Sequence, residues 1–104
     1  MDLKESDWRT SITKNDQAVI VDVRTPHEWD EGIIPGAIML DIMDGPQFME
    51  TIRAWDKDKE YYVYCRSGNR SWQACRIMKG EGLMAYNLSG GIIAWQGEVQ
   101  EPII

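Results

Sequence analysis

The residue order predicts an α/β fold: a central, mainly parallel sheet of about five strands, flanked by helices on both faces. Three observations carry that expectation. Short β-prone runs alternate with helix-spaced segments over short connections. The run Ala18-Val19-Ile20-Val21-Asp22-Val23 is apolar almost throughout and does not alternate. It therefore reads as a strand covered on both faces, as parallel sheets require. Finally, a chain of 104 residues, 43% of them apolar, suits one domain (residues 1–104) whose modest core needs no disulfide or structural metal.

Each element has a local reason. Ser6 is placed to cap a first short helix, with Trp8 and Ile12 one turn apart on its inner face. After the strand at 18–23, Thr25-Pro26-His27-Glu28 has the form of a capping box with Pro at the first helical position. It predicts a short helix ending near Gly32. Ile33-Ile34-Pro35-Gly36 is a turn and residues 37–40 a second short strand. Asp44-Gly45-Pro46 starts a helix in which Phe48, Ile52 and Trp55 keep helical spacing. Residues 57–60 form a polar turn, and Tyr61-Tyr62-Val63-Tyr64 is a strand ending on Cys65. A helix is expected over about 71–79, stopped by Gly80 and Gly82. Residues 84–88 are a last strand, Gly90-Gly91 a break, and 92–96 a closing helical segment.

Charge and cysteine usage exclude several functions. Eleven Lys plus Arg against seventeen Asp plus Glu give a net charge of −6. Such a surface repels nucleic acid and anionic lipid, so neither is an expected partner. No apolar run approaches the ~18 residues of a membrane helix. Residues 1–7 lack the apolar core of a signal peptide, so a soluble, cytoplasmic protein is expected. The two cysteines lie ten positions apart and the single His27 is distant from both. A Cys-x-x-Cys redox pair and a zinc site of ordinary spacing are both excluded.

The residues after Cys65 are the most informative. In an open parallel sheet, ligands gather at the carboxyl ends of the strands, and Cys65 stands at such an end before a helix. Between them lies Arg66-Ser67-Gly68-Asn69-Arg70-Ser71. Gly68 lets the backbone take a positive φ, and a tight arc entering a helix turns several N–H groups toward one centre. A sulfur at that centre is held as thiolate by those groups, the helix dipole and nearby guanidinium groups, with no histidine base. Cysteine-dependent phosphatases have a similar loop, but with five residues between the cysteine and the phosphate-binding arginine. Here four separate Cys65 from Arg70, and Ser71 holds the phosphatase position. The tighter cradle suits a single outer sulfur better than a phosphoryl group.

Three stretches stand out in order: Val21-Asp22-Val23-Arg24-Thr25-Pro26-His27-Glu28-Trp29 continuing through Gly32-Ile33-Ile34-Pro35-Gly36-Ala37, then Cys65-Arg66-Ser67-Gly68-Asn69-Arg70-Ser71, then Leu88-Ser89-Gly90-Gly91-Ile92-Ile93-Ala94-Trp95. Together they resemble the rhodanese family in its single-domain sulfurtransferase form. One departure is Ile33, where the family often has His. The resemblance implies a rhodanese-like α/β domain that moves sulfane sulfur by double displacement. Cys65 would take sulfur from thiosulfate or a related donor as a persulfide and pass it to cyanide or a thiol. No cofactor is expected beyond that covalent intermediate, and a redox or sulfur-carrier protein is a further candidate partner. The other functions weighed are a persulfide relay between proteins and a non-catalytic interaction module.

Roles follow from position. Cys65 is the expected nucleophile, and Arg66, Ser67, Gly68, Asn69, Arg70 and Ser71 the substrate-binding loop. Arg66 and Arg70 neutralise an anionic donor, and the hydroxyls of Ser67 and Ser71 reach the persulfide, with capping of the following helix an equal alternative for Ser71. Asp22 and Arg24, at the carboxyl end of their own strand, are expected to brace the loop or its neighbours, with Glu28 as a partner for Arg24. Trp72 either lines the pocket or packs. Cys75 reads as a core thiol and His27 as helix surface.

Overall fold

In the computed structural model, which describes residues 1–102 of the chain, the sheet grows outward from the strand at Glu60–Tyr64. Among the described residues ten elements follow one another: β1 (Asp2–Leu3), α1 (Glu5–Lys14), β2 (Ala18–Asp22), α2 (Pro26–Trp29), β3 (Ile38–Met39), α3 (Gly45–Arg53), β4 (Glu60–Tyr64), α4 (Asn69–Gly80), β5 (Met84–Leu88) and a 3-10 turn (Ile92–Ala94). The strands lie in the order β1-β5-β4-β2-β3, and every pairing is parallel. β2 and β4 pair over their full lengths, from Ala18 opposite Glu60 to Asp22 opposite Tyr64.

Side chains leave a strand alternately to its two faces, and β4 therefore feeds two cores. Tyr61, Val63 and the following Cys65 join Val21, Phe48 and Met78 under α3 and α4. Tyr62 and Tyr64 join Leu88 and Trp8 under α1. Trp8 is fully buried and meets Tyr62, Tyr64 and Trp95 edge-on at 6.0, 6.1 and 5.7 Å between ring centroids. Its indole N–H donates to the Tyr86 carbonyl at 3.3 Å, so the one polar atom of the ring is satisfied as burial demands.

The structure corrects several boundaries. Ser6 does not cap α1. The Trp8 N–H already reaches the Lys4 carbonyl at 3.0 Å, so the helix begins at Glu5, and Lys4 is its N-cap without a side-chain bond. The capping box at Thr25 and Glu28 is formed, but regular helix stops at Trp29. Three-residue turns then carry the chain to Gly32, whose φ of +117° ends the run. Asp44 caps α3, accepting from the Gln47 N–H at 3.3 Å. α4 starts two residues earlier than the sequence suggested, directly after Gly68. The last segment is a single 3-10 turn.

Strand β1 was not anticipated. Two residues carry no periodicity, and only pairing reveals them: Asp2 lies opposite Asn87 and Leu3 opposite Leu88. No helix among the described residues is long and apolar enough to cross a membrane.

Candidate active site

Cys65 follows the last residue of β4 and is 1% exposed. From there the backbone turns through Arg66 and Ser67, takes a φ of +104° at Gly68, and enters α4 at Asn69. This bend points the loop's N–H groups back at the sulfur. Gly68 N–H donates to Sγ at 3.1 Å and the Ser71 hydroxyl lies 3.3 Å from it. Burial pushes the thiol pKa up, but the Ser71 hydroxyl and the N–H groups of Ser71, Gly68 and Ser67 outweigh it, and Cys65 ends below the ordinary thiol range. Cys75 meets the opposite fate. Fully buried among the helix-side core residues, it is pushed by desolvation up to about 12, which leaves it an inert packing thiol.

The chain after β5 holds the loop from outside. Ile92 N–H donates to the Cys65 carbonyl at 2.9 Å and Ile93 N–H to the Arg66 carbonyl at 3.3 Å. Gly91, at φ +67° and ψ −164°, makes this approach possible. A Cβ there would overlap the Arg66 carbonyl and lie 2.6 Å from Ser67 N. The Gly90-Gly91 break is therefore a clamp on the cysteine loop.

The charged residues sort themselves differently from the sequence expectation. Asp22 and Arg24 pair with each other, buried to 0% and 3% exposure. The Arg24 guanidinium donates to both Asp22 oxygens, at 2.7 Å in its shortest bond, and to the Gly32 carbonyl at 2.7 Å. Trp29 Nε1 also donates to Asp22 Oδ1 at 3.2 Å. The pair thus braces the strand end against the turn that follows α2. Glu28 is not the partner of Arg24. It is already fixed by Thr25 within the capping box and accepts two bonds from Arg70, at 2.7 and 2.9 Å. That two-pronged contact joins residues 42 apart in sequence, a distance at which side-chain pairing leaves no local signal.

Of the six loop residues, Ser67, Gly68 and Ser71 direct bonds to the Cys65 sulfur, and Arg66, Asn69 and Arg70 take other positions. Ser67 contributes its backbone N–H rather than its hydroxyl. Asn69 is exposed at the start of α4. Ser71 is buried as the third residue of α4, where its hydroxyl serves the sulfur rather than a helix cap. Arg66 is exposed, and among the described residues it makes no ion pair. It is an exposed cation directly after Cys65 in the loop. Trp72 lines a polar recess of about 320 Å³ beside the loop, together with Asp2, Asn69 and Asn87. Its ring carries the Arg76 guanidinium 5.1 Å from its centroid.

Sequence reasoning missed Asn87. It is 2% exposed and sits in the middle of the site. Its Oδ1 accepts from Ser71 Oγ, while its Nδ2 donates to the Asp2 carboxylate at 2.7 Å and the Gly68 carbonyl at 3.1 Å. One signal was present. Asn is depleted in strands, and here it interrupts a predicted one between Tyr86 and Leu88.

A family model described as a rhodanese-like domain matches residues 6–98. The chain is 38% identical to YtwF of Bacillus subtilis over 103 residues, covering 96% of this chain and 97% of that one. It is 41% identical over 85 residues to a sulfurtransferase of Allochromatium vinosum, covering 81% and 77%. It is also 35% identical over 80 residues to the thiosulfate sulfurtransferase GlpE of Pseudomonas syringae, covering 76% and 73%. The crystal structure of a rhodanese-like domain protein from Staphylococcus aureus superposes with a TM-score of 0.84 at 26% identity, over 98% of each chain.

Proposed function

The chain belongs to the rhodanese-like domain family, and from that premise we propose that it transfers sulfane sulfur through a persulfide on Cys65. The observation that carries the reading is the sulfur's setting. A buried Sγ receives Gly68 N–H and the Ser71 hydroxyl at 3.1 and 3.3 Å, an arrangement that stabilises negative charge without a general base.

In the first half-reaction the Cys65 thiolate attacks the outer sulfur of thiosulfate. The new S–S bond forms as the old one breaks, and its electron pair leaves on sulfite. In the second, cyanide or a thiolate attacks the outer sulfur of the persulfide, and Cys65 leaves as thiolate. Electrons balance over the cycle with no cofactor. Arg66 neutralises the incoming anion. The name of the GlpE relative favours thiosulfate as donor. The proposal sets the reaction in the cytoplasm, where thiols stay reduced.

One observation favours a second reading. Glu28 occupies Arg70, which lowers the pull of the site on a dianion. A donor with less charge at its terminal sulfur, such as a persulfide on another protein, gains from that arrangement, and the protein is then a relay. A kcat/KM for a protein persulfide well above that for thiosulfate selects the relay.

The test is sulfite release from thiosulfate, with cyanide as acceptor. Cys65→Ser is expected to abolish it and Cys75→Ala to leave most of it. Normal turnover by Cys65→Ser removes Cys65 from the mechanism. A folded wild-type protein that turns over neither donor is an interaction module.

A further inference from the structure

Ser71 has one hydroxyl proton and two acceptors for it: Cys65 Sγ at 3.3 Å and Asn87 Oδ1. The amide of Asn87 cannot turn to relieve this competition. Its NH₂ group is committed to Asp2 and to the Gly68 carbonyl, and those two partners only accept. All four groups lie in one chain of contacts from β1 through β5 and α4 to the sulfur, and Ser71 and Asn87 are 0% and 2% exposed. Ser71 does not border the recess that Asn87 and Asp2 line, so a bond lost between Ser71 and Asn87 is not readily replaced there.

We propose that Asn87 is a positioning residue for Cys65, acting through Ser71, and that Asp2 locks it in the orientation this requires. The inference rests on the reading of Cys65 as the nucleophile. In the thiol state the S–H donates to Ser71 Oγ and the Ser71 O–H donates to Asn87 Oδ1. Every buried polar group is then satisfied, as burial demands. When the thiol proton leaves to solvent, the Ser71 hydroxyl rotates onto the thiolate, the stronger acceptor. Asn87 Oδ1 is left without its donor, a cost charged against the thiolate. Asn87 thus opposes ionisation and draws the hydroxyl back once the charge moves to the outer sulfur of a persulfide.

The charged and titratable groups on the elements around the sulfur, besides the exposed Arg66 of the loop itself, define the control. On α4 these are Arg70, paired with Glu28, and Cys75. From β1 there are Asp2 and the amino terminus, whose charges reach Cys75 beside it. At the end of β2 stand Asp22 and Arg24, paired with each other. Of these, only Asp2 loses a partner when Asn87 is replaced.

The experiment is a thiolate titration at 240 nm, in which Cys75 at about 12 does not interfere. Asn87→Ala is expected to lower the Cys65 midpoint by about one pH unit, and Ser71→Ala to raise it. In the Ser71→Ala background, Asn87→Ala should have no effect. An unmoved midpoint, or an equal shift with Ser71 absent, overturns the proposal. Should Asn87→Ala fail to fold, the exposed Asp2 gives the second arm. Asp2→Ala removes the charge and one of the two acceptors that hold the Asn87 amide, whereas Asp2→Asn removes the charge and keeps an acceptor for it. Asp2→Ala should lower the midpoint further, and equal midpoints for the two overturn the lock. The titration uses no sulfur donor, so its outcome is independent of whether sulfite release is observed.

Discussion

Two cysteines of one chain differ here because of what surrounds each sulfur. Cys65 has donors aimed at it, and Cys75 has only packed neighbours and the desolvation that comes with them. The arginines differ in the same way. Arg66 is exposed and unpaired among the described residues, while both prongs of Arg70 go to Glu28. Arg66→Ala should therefore lower kcat/KM for thiosulfate about ten- to hundredfold, the value of one charge-assisted hydrogen bond in the transition state. Arg66→Lys, which keeps the charge, should recover part of that loss. Arg70→Ala should act through the loop, with a fall in kcat that Arg70→Lys does not rescue, because an ammonium cannot make the two-pronged contact. Steady-state kinetics on the four variants separate these roles. Sequence alone placed both arginines on the donor, because the loop shows their proximity to Cys65 and nothing shows a glutamate 42 residues away.

Among the elements, contiguous signals were legible and distant ones were not. The capping box at Thr25 needs only residues three apart, and it formed as read. The cysteine loop is a single run whose Gly68 marks its own bend. By contrast, β1 is two residues long, and Asn87 lies 16 residues from Ser71 and 85 from Asp2. Those contacts exist only once the parallel register brings β1 beside β5. The clamp after β5 was visible as two glycines, although its target was not. Gly91→Ala sets a Cβ against the Arg66–Ser67 peptide in a backbone region that essentially only Gly adopts. That substitution should displace the loop and lower sulfur transfer by at least tenfold, with a lower Tm. Gly36→Ala, where a Cβ meets nothing within 4 Å, should lower Tm through its positive φ alone and leave activity close to wild type. Equal activity losses in the two variants would refute the clamp.

For the molecule as a whole, the Glu28–Arg70 pair ties the α2 segment after β2 to the helix that follows the cysteine loop. Arg70 holds the Glu28 carboxyl at about 2, against an ordinary 4.5, with burial opposing and Thr25 assisting. A carboxylate lowered in the folded state stabilises the fold above its ordinary pKa. That stability is lost as pH falls from about 4.5 toward about 2. The Arg70 and Glu28 side chains are 30% and 19% exposed, and solvent screening reduces the contribution to about 1–2 kcal/mol. Glu28→Gln should be less stable than wild type by that amount at pH 7 in urea unfolding, with the difference closing near pH 2. A constant difference across that window would show that the pair contributes by packing and not by charge. The parallel sheet itself was legible because β2 and β4 are apolar runs bounded by clear turns. Its order was not, since sequence does not say which edge the first two residues join.

The central claim is that Cys65 carries the transferred sulfur. Intact-mass spectrometry after brief exposure to thiosulfate, followed by peptide mapping under non-reducing conditions, tests it directly. The account predicts a gain of one sulfur atom, located on the peptide containing Cys65, removed by cyanide and absent in Cys65→Ser. Label on Cys75, or a wild-type protein that gains no sulfur from thiosulfate or from a persulfide donor, would contradict it.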